Sequence, residues 1–216
     1  MDTPGGIYCP QGWNYVFVGV TSMKDQTYHE CENIVIGKVS VVDTTPQVAE
    51  KPYLVQEDGS GNETWSIYVP KFVSGGSAGP TQDHLSAVAW KLSVESEVYV
   101  AKPGESADVI NEAMRGKKGL LLTPGIYNLD RPIIVSQDNF VVLGIGFPTL
   151  VSTNGNSVVE VTSNLADVRI AGLLLEAGTP KVDGDEGATD PLMHWGDAAN
   201  KTERDLGEGL ARGVMS

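Results

Sequence analysis

Positive charge is scarce in this sequence of 216 residues, which has 15 lysine and arginine residues against 28 aspartate and glutamate residues and a formal net charge of −13. A protein that binds nucleic acid through the phosphates needs a basic face, and so does one that binds anionic membranes. We therefore predict no nucleic-acid partner and no membrane partner. A polyanionic polysaccharide would need calcium to bridge the carboxylates, whereas a neutral glucan is compatible with this charge.

Long apolar runs and cysteines are also few. No segment reaches the roughly 18 apolar residues of a membrane helix, and the opening MDTPGGIYCPQGW has neither the basic start nor the apolar core of a signal peptide. The two cysteines are Cys9 and Cys31. In a secreted chain a disulfide between them would close a loop and stabilise the fold by roughly 3 kcal/mol. In a reducing compartment they would be free thiols. Both alternatives stay open, because pairing depends on geometry.

Signatures of cofactor chemistry are missing as well. Residues 144–148, GIGFP, break the G-x-G-x-x-G pattern of a phosphate-binding loop, and no G-x-S-x-G nucleophile motif occurs. The histidines His29, His84 and His194 are too far apart in sequence for a spacing such as H-x-x-x-H. We therefore predict no cofactor.

A short apolar pattern repeats between residues 119 and 178. Apolar runs begin at residue 119 (GLLLT), residue 140 (FVVLGIG) and residue 168 (VRIAGLLLEAG), about 21 and 28 residues apart. Such intervals are typical of a β-solenoid, whose short strands bury their apolar faces only when they stack coil on coil. Shorter runs of the same kind, PIIV, TLV and VVEV, lie between them. We therefore predict a mainly β chain that contains a parallel solenoid.

The stacking implies two specific predictions. The three long runs should be parallel neighbours in one sheet, over residues 119–123, 140–144 and 168–172. Leu121, Val142 and Ile170 each lie in the middle of a run, so they should point inward in register while their neighbours alternate outward.

A short helix is predicted just before the first of these runs, in SADVINEAMRGKKG. Ser106 is a suitable N-cap and Gly116 a suitable stop. One helical face would be apolar, formed by Val109, Ile110, Ala113 and Met114. The helix would cover the open end of the first coil. The alternative is a helix packed on a mixed sheet.

These segments resemble a known family. The stretches AKPGESADVINEAMRGKKGLLLTPGIYNLDRPIIV, VVLGIGFPTL and IAGLLLEAG resemble the opening of a right-handed parallel β-helix of the pectate-lyase-like superfamily. Their order resembles more particularly the large two-lobed secreted proteins that are similar to exo-β-1,3-glucanases of glycoside hydrolase family 55, often labelled coagulation factor 5/8-type or adenylyl-cyclase-like. NYVFVGV, VVDTTPQVAEKPYL and WSIYVP resemble the segment that joins the lobes, so the resemblance runs from about Trp13 to Trp195.

The resemblance organises the chain into three parts: a β-rich joining region at 1–95, the start of a parallel β-helix at 96–197 and an irregular tail at 198–216. Strands are predicted near 14–20, 34–42, 52–56 and 65–70. Residues 74–84 are loop-like in composition, and 86–94 suit either a strand or a short helix. The segment 191–197 could supply one more strand.

The same resemblance implies an extracellular protein whose members are several times longer than this chain. The β-helix is then incomplete, and we expect a fragment that is inactive alone and able to self-associate through its exposed C-terminal rung. Two functions stay open. In the first, the chain is part of a glucanase-like, carbohydrate-active enzyme that acts on a polysaccharide. The other is a non-enzymatic extracellular scaffold or carbohydrate-binding module, because fold alone does not separate the two.

Candidate site residues lie in the C-terminal third of the chain. Glycoside hydrolysis needs two carboxyl groups across the scissile bond, for which Glu176 and Asp185 are the candidates. The acidic loop at 181–190 also offers hard oxygen ligands for a metal such as calcium, from Asp183, Asp185 and Glu186. Both sets have a plainer interpretation as solvated surface residues. His194 and Trp195 are candidates for carbohydrate binding by stacking, although a tryptophan more often buries apolar area.

Overall fold

The computed structural model describes residues 7–8, 15–18, 28–29, 39–42, 44–59, 62–77, 88–178, 190–196 and 214–215. The chain forms two compact units, one of residues 1–50 and 70–89, the other of residues 51–69 and 90–216. The division of the chain near residue 95 that the sequence suggested stays a prediction.

The first eight strands, shared between the two units, include every strand predicted before residue 71. In chain order they are β1 (Ile7–Tyr8), β2 (Tyr15–Val18), β3 (Tyr28–His29), β4 (Val39–Val42), β5 (Thr45–Ala49), β6 (Tyr53–Gly59), β7 (Asn62–Pro70) and β8 (Phe72–Ser77). In the first unit, β1 pairs with β3 and β2 with β4 in parallel, and β5 pairs with β8 in antiparallel.

The second unit begins with a three-stranded sheet made of β6, β7 and β9 (Val88–Ser93), which we call the hairpin sheet. The segment 86–94 thus contains a strand and not a helix. Strands β6 and β7 pair in antiparallel from Tyr53 opposite Tyr68 to Gly59 opposite Asn62.

A parallel β-helix follows. Its elements are β10 (Val98–Ala101), α1 (Ala107–Ala113), β11 (Gly119–Leu122), β12 (Ile126–Leu129), β13 (Ile133–Val135), β14 (Val141–Gly144), β15 (Thr149–Ser152), β16 (Val159–Val161), β17 (Arg169–Ala171), β18 (Leu174–Ala177), β19 (Met193–Trp195) and β20 (Val214–Met215). The first sheet has the order β10-β11-β14-β17-β20, the second β12-β15-β18 and the third β13-β16-β19.

This architecture confirms the predicted fold class: a mainly β chain with a parallel β-helix, a short helix near its start and a β-rich region before it. The three long apolar runs form β11, β14 and β17, which are parallel neighbours in the first sheet, as predicted. The segment 191–197 supplies β19. The sequence did not assign β10, which joins the first sheet before the helix begins. Strand β20 pairs with β17 and continues the same sheet.

Helix α1 begins at the predicted cap. The Ser106 hydroxyl accepts a hydrogen bond from the Val109 backbone N–H at 3.3 Å, and Gly116 follows the helix with a φ of 75°. The apolar face differs from the prediction at one residue, because Val109 is 49% exposed while Ala107 is fully buried. The buried side chains Ala107, Ile110 and Met114 join the core inside the coil, so the helix covers the end of the β-helix.

The predicted inward row is wrong at Leu121. In the structure Leu120 aligns with Val142 and then with Ile170, and these three line the interior. Leu121 points to the opposite face, where it packs with Leu143. Every residue of β11 is buried, so the strand lacks the alternation of apolar and polar residues from which a register could be derived.

The interior of the coil also buries one tyrosine. Tyr127 is fully buried, and its single hydroxyl proton is shared between the carbonyl oxygens of Ala101 and Thr123, each 3.0 Å from the hydroxyl oxygen. Burial raises the pKa of the Tyr127 hydroxyl, so it stays protonated and can act as a donor. A polar group inside an apolar core is stable only when it is hydrogen-bonded. Tyr127 therefore ties β12 to the turn before it and to the end of β10.

The hairpin sheet covers the outer face of the first sheet. Ile67, Val69 and Leu92 of the hairpin sheet form a second apolar cluster with residues such as Val141 and Leu143. Arg169 is buried on this face, 1% exposed, and its guanidinium lies 5.9 Å from the centre of the Trp90 ring. The first sheet is therefore buried on both faces.

An ion pair with a tyrosine hydrogen bond lies on the hairpin sheet. The Glu57 carboxylate accepts hydrogen bonds from Lys91 Nζ at 3.0 Å and from the Tyr68 hydroxyl at 2.8 Å. The Lys91 bond, followed by the Tyr68 bond, lowers the pKa of Glu57 below its ordinary value of 4.5. A lowered pKa in the folded state stabilises the fold above the ordinary value, and this contribution is lost as pH falls through the folded value.

We expect Glu57→Gln to melt below the wild-type temperature at pH 7 and closer to it at pH 3, because the wild-type carboxylate gains protons as the pH falls below 4.5 toward its lowered folded pKa. The difference in melting temperature at pH 7 should be small, since the ion pair between Glu57 and Lys91 is partly solvated. Circular dichroism melting curves at both pH values measure it. The control is Glu63→Gln, which removes a carboxyl group at an exposed position of β7. An equal difference at both pH values would contradict the assigned pKa direction.

Candidate functional site

The outer face of the second sheet presents two rows of side chains in register across three coils. One row aligns Ile126, Thr149 and Leu174, and the other aligns Asn128, Val151 and Glu176. Alternate residues of the same strands, such as Tyr127 and Leu150, point into the core, which fixes these two rows on the outside.

These rows combine apolar and hydrogen-bonding groups. Ile126 is 60% exposed and Leu174 is 52% exposed, whereas Asn128 and Glu176 are exposed polar residues and Thr149 is half-buried. Apolar surface with a few placed polar groups is what small ligands use for contact and orientation. We call these two rows the outer rows of the second sheet.

An exposed aromatic residue lies in the turn that leads from the first sheet into the second, just before β15 begins. Phe147 is 63% exposed and has a φ of 55°. The ammonium group of Lys51 lies 5.7 Å from the centre of its ring, within the range of a cation–π contact. Phe147 comes two residues before Thr149, the first residue of β15.

The third sheet separates the two predicted sugar-binding residues. His194 follows Ile134 and Glu160 in the outer row, whereas Trp195 follows Val135 and Val161 in the inner row, because neighbouring residues of a strand point to opposite faces. Trp195 is 42% exposed despite its inner position. The structure brings His194 beside Glu160, and a role for His194 or Trp195 in carbohydrate binding stays a prediction.

The predicted catalytic and metal residues are only partly described. Glu176 lies in β18, exposed on the outer face of the second sheet. Asp183, Asp185 and Glu186 lie outside the described residues, as do Cys9 and Cys31, so these three residues stay candidates for metal binding and both alternatives for the cysteines stay open. Within the described ranges, no group of three or more His, Cys, Asp or Glu side chains could hold a metal ion.

The carboxylates that the structure does place are distributed singly. Glu176 is the one carboxylate on the outer face of the described strands of the second sheet, and Glu160 is the one on that of the third. A glycosidase needs two carboxyl groups roughly 5–9 Å apart. Each of these two faces therefore offers one member of such a pair within the described strands.

Sequence reasoning missed Asn128, Glu160 and Phe147. The signal for Glu160 was present, because it is the single polar residue of the run VVEV, and alternation places it outward. Asn128 likewise alternates with Tyr127 in the strand IYNL. For Phe147 the sequence offers only its place between a glycine and a proline, which indicates a turn but not an exposed ring.

A parallel coil of three sheets with a helix over its end defines a pectate-lyase-like β-helix. The model of the family described as "LAM55 pectate lyase-like domain" matches residues 98–211 of this chain, a range that begins at β10. The chain belongs to this family.

Comparison with individual proteins gives the same result. The chain is 31% identical over 172 residues to an exo-β-1,3-glucanase of Streptomyces sp. (strain SirexAA-E / ActE), which covers 77% of this chain and 25% of that protein. The structure of sacteLam55A from Streptomyces sp. SirexAA-E matches with a TM-score of 0.65 and 31% identity, over 82% of this chain and 31% of that one.

A structure of a variant of sacteLam55A in complex with glucose matches with a TM-score of 0.61 and 29% identity, over 82% of this chain and 32% of that one. The chain therefore spans about a quarter of the length of the curated relative and about a third of the solved chains. Among the described residues, no helix is long and apolar enough to cross a membrane.

Proposed function

We propose that this chain is part of an extracellular, carbohydrate-active protein of the glucanase type and that its ligand is a neutral β-1,3-glucan. The observation that carries the proposal is the match of the LAM55 family over residues 98–211, a range that includes the described strands of the parallel coil from β10 to β19. The glucanase activity of the similar Streptomyces protein and the glucose bound to the sacteLam55A variant support a polysaccharide as the partner.

The charge of the chain favours a neutral ligand. The net charge is −13, and the second sheet presents Glu176 among uncharged outer residues. A polyanionic polysaccharide would meet repulsion there, whereas a neutral glucan can pack on the apolar side chains and take hydrogen bonds from Asn128 and Thr149.

We further propose that these 216 residues bind glucan without hydrolysing it, as a fragment of the larger enzyme or as the binding module that was the alternative. The reason is that the described strands of the second and third sheets each present a single carboxylate on their outer face, since hydrolysis needs an acid and a base or nucleophile at a set separation. Asp185, the other candidate carboxylate, lies in the acidic loop. Self-association through the last rung also stays a prediction.

We expect the purified 216-residue chain to release no measurable reducing sugar from laminarin over several hours, while it binds laminarin in affinity gel electrophoresis. Binding without hydrolysis would support the proposal. The matched variants are Glu176→Ala and Asp185→Ala, with Glu112→Ala on the exposed side of α1 as the control for any contaminating activity. Sugar release that disappears in Glu176→Ala or Asp185→Ala, but persists in Glu112→Ala, would place the active site within this chain.

A further inference from the structure

Phe147 is strained and exposed at the same time. Its 63% exposure is the largest among the large apolar side chains in the described ranges. Its φ of 55° lies in the left-handed region, which is costly for a bulky L-residue because Cβ approaches the carbonyl oxygen. Glycine or asparagine would suit this backbone better. The stability of the described coil therefore gives no reason for a phenylalanine here.

The turn that carries Phe147 is hydrogen-bonded to the coil before it and to the coil after it. The backbone N–H of Thr149 donates to the Gly125 carbonyl in the coil before at 2.9 Å, and the Leu174 N–H in the coil after donates to the Pro148 carbonyl at 3.0 Å. Both bonds continue the ladders of a parallel sheet. The backbone on the C-terminal side of Phe147 is thus fixed by its neighbours, so the ring is presented from a rigid support.

We propose that Phe147 is a stacking platform for a pyranose ring of the glucan, and that the outer rows of the second sheet bind the sugar hydroxyls beside it. This inference rests on the proposed function and names the residues at which the glucan binds. Lys51 lies against one side of the ring, and the residue is still 63% exposed, so a sugar can pack on the open side. Thr149, Asn128 and Glu176 lie in the adjoining rows and offer a hydroxyl, an amide and a carboxylate.

The composition of the outer rows favours a sugar over a protein surface. A protein that buried Ile126 and Leu174 would also cover the exposed Asn128 and Glu176, and desolvation of an amide and a carboxylate is unfavourable unless each finds a partner. A sugar has an apolar C–H face and a rim of hydroxyls. It can therefore satisfy both kinds of group at once.

The test is isothermal titration of laminarihexaose into the full 216-residue chain and into two variants of Phe147. Phe147→Asn should bind at least about tenfold more weakly, as expected when a central aromatic contact is lost. It should melt at or above the wild-type temperature, because asparagine tolerates the left-handed conformation. Phe147→Trp, which keeps a stacking ring, should retain most of the affinity. The control is Val109→Asn, which also replaces an exposed apolar side chain by asparagine, at a 49% exposed residue of α1.

The outcomes separate this inference from the proposed function. If the wild-type chain binds no laminarihexaose, the proposed function fails and the inference fails with it. If the wild type binds and Phe147→Asn binds equally well, only the inference is overturned. A wild-type chain that sediments as a dimer, with a monomeric Phe147→Asn of unchanged glucan affinity, would overturn it in favour of a protein contact.

Discussion

Val142→Asp is expected to unfold the β-helix. Val142 is fully buried in the middle of the first sheet and stacks between Leu120 and Ile170. An aspartate there has no partner and must be buried charged or protonated, which costs roughly 2–7 kcal/mol for an unpaired polar group. A domain is typically stable by only about 5–15 kcal/mol. Most of the free energy of unfolding should therefore be lost.

Urea unfolding followed by circular dichroism measures this effect. The matched control is Val109→Asp, which places the same side chain at a 49% exposed position in the first turn of α1. An acidic residue is favourable near a helix N-terminus, so the control should stay within about 0.5 kcal/mol of the wild type. A Val142→Asp chain with the wild-type midpoint would show that this row does not form the core.

Gly172→Ala should be the second most damaging change, although it adds a single methyl group. A Cβ at Gly172 would lie 2.4 Å from the carbonyl oxygen of Gly144 in the coil before, a distance at which one backbone must move. Gly172 also has a φ of 73°. The left-handed conformation costs about 1–2 kcal/mol for an alanine, and the overpacking adds about 1–3 kcal/mol.

Gly116→Ala is the control for this prediction. Gly116 has a nearly equal φ of 75°, but nothing lies within 4 Å of a Cβ placed there. The free energy of unfolding of Gly116→Ala should therefore fall only by what the left-handed conformation costs an alanine, about 1–2 kcal/mol. The difference between the two free energies of unfolding measures the close approach of the coils. Equal losses in the two variants would mean that the turn at Gly172 relaxes freely.

Local chemistry made the stacked strands and the helix predictable. The apolar runs at 119, 140 and 168 recur at solenoid intervals, and each is too short to bury its face alone. Ser106 caps the helix through its own hydroxyl, which is a property of neighbouring residues. Such features depend on residues that are close in the chain, so a pattern in the sequence contains them.

The errors came from burial by distant parts of the chain. Leu121 was assigned to the interior, but residues 67, 69 and 92 of the hairpin sheet cover the outer face of β11. A strand covered on both faces shows no alternation. Strand β10 was missed for a related reason, because its pairing with β11 requires a partner beyond the intervening helix.

The sequence by itself determined the class of fold, the helix at the start of the coil and the acidic charge that disfavours polyanionic partners. Tertiary structure alone decided which residues of successive coils lie side by side. It aligned Glu176 with Val151 and Asn128, placed His194 beside Glu160, and brought the ammonium group of Lys51 to the ring of Phe147. The physical reason is that register joins residues of successive coils, more than 20 positions apart in the sequence, and no local propensity specifies that alignment.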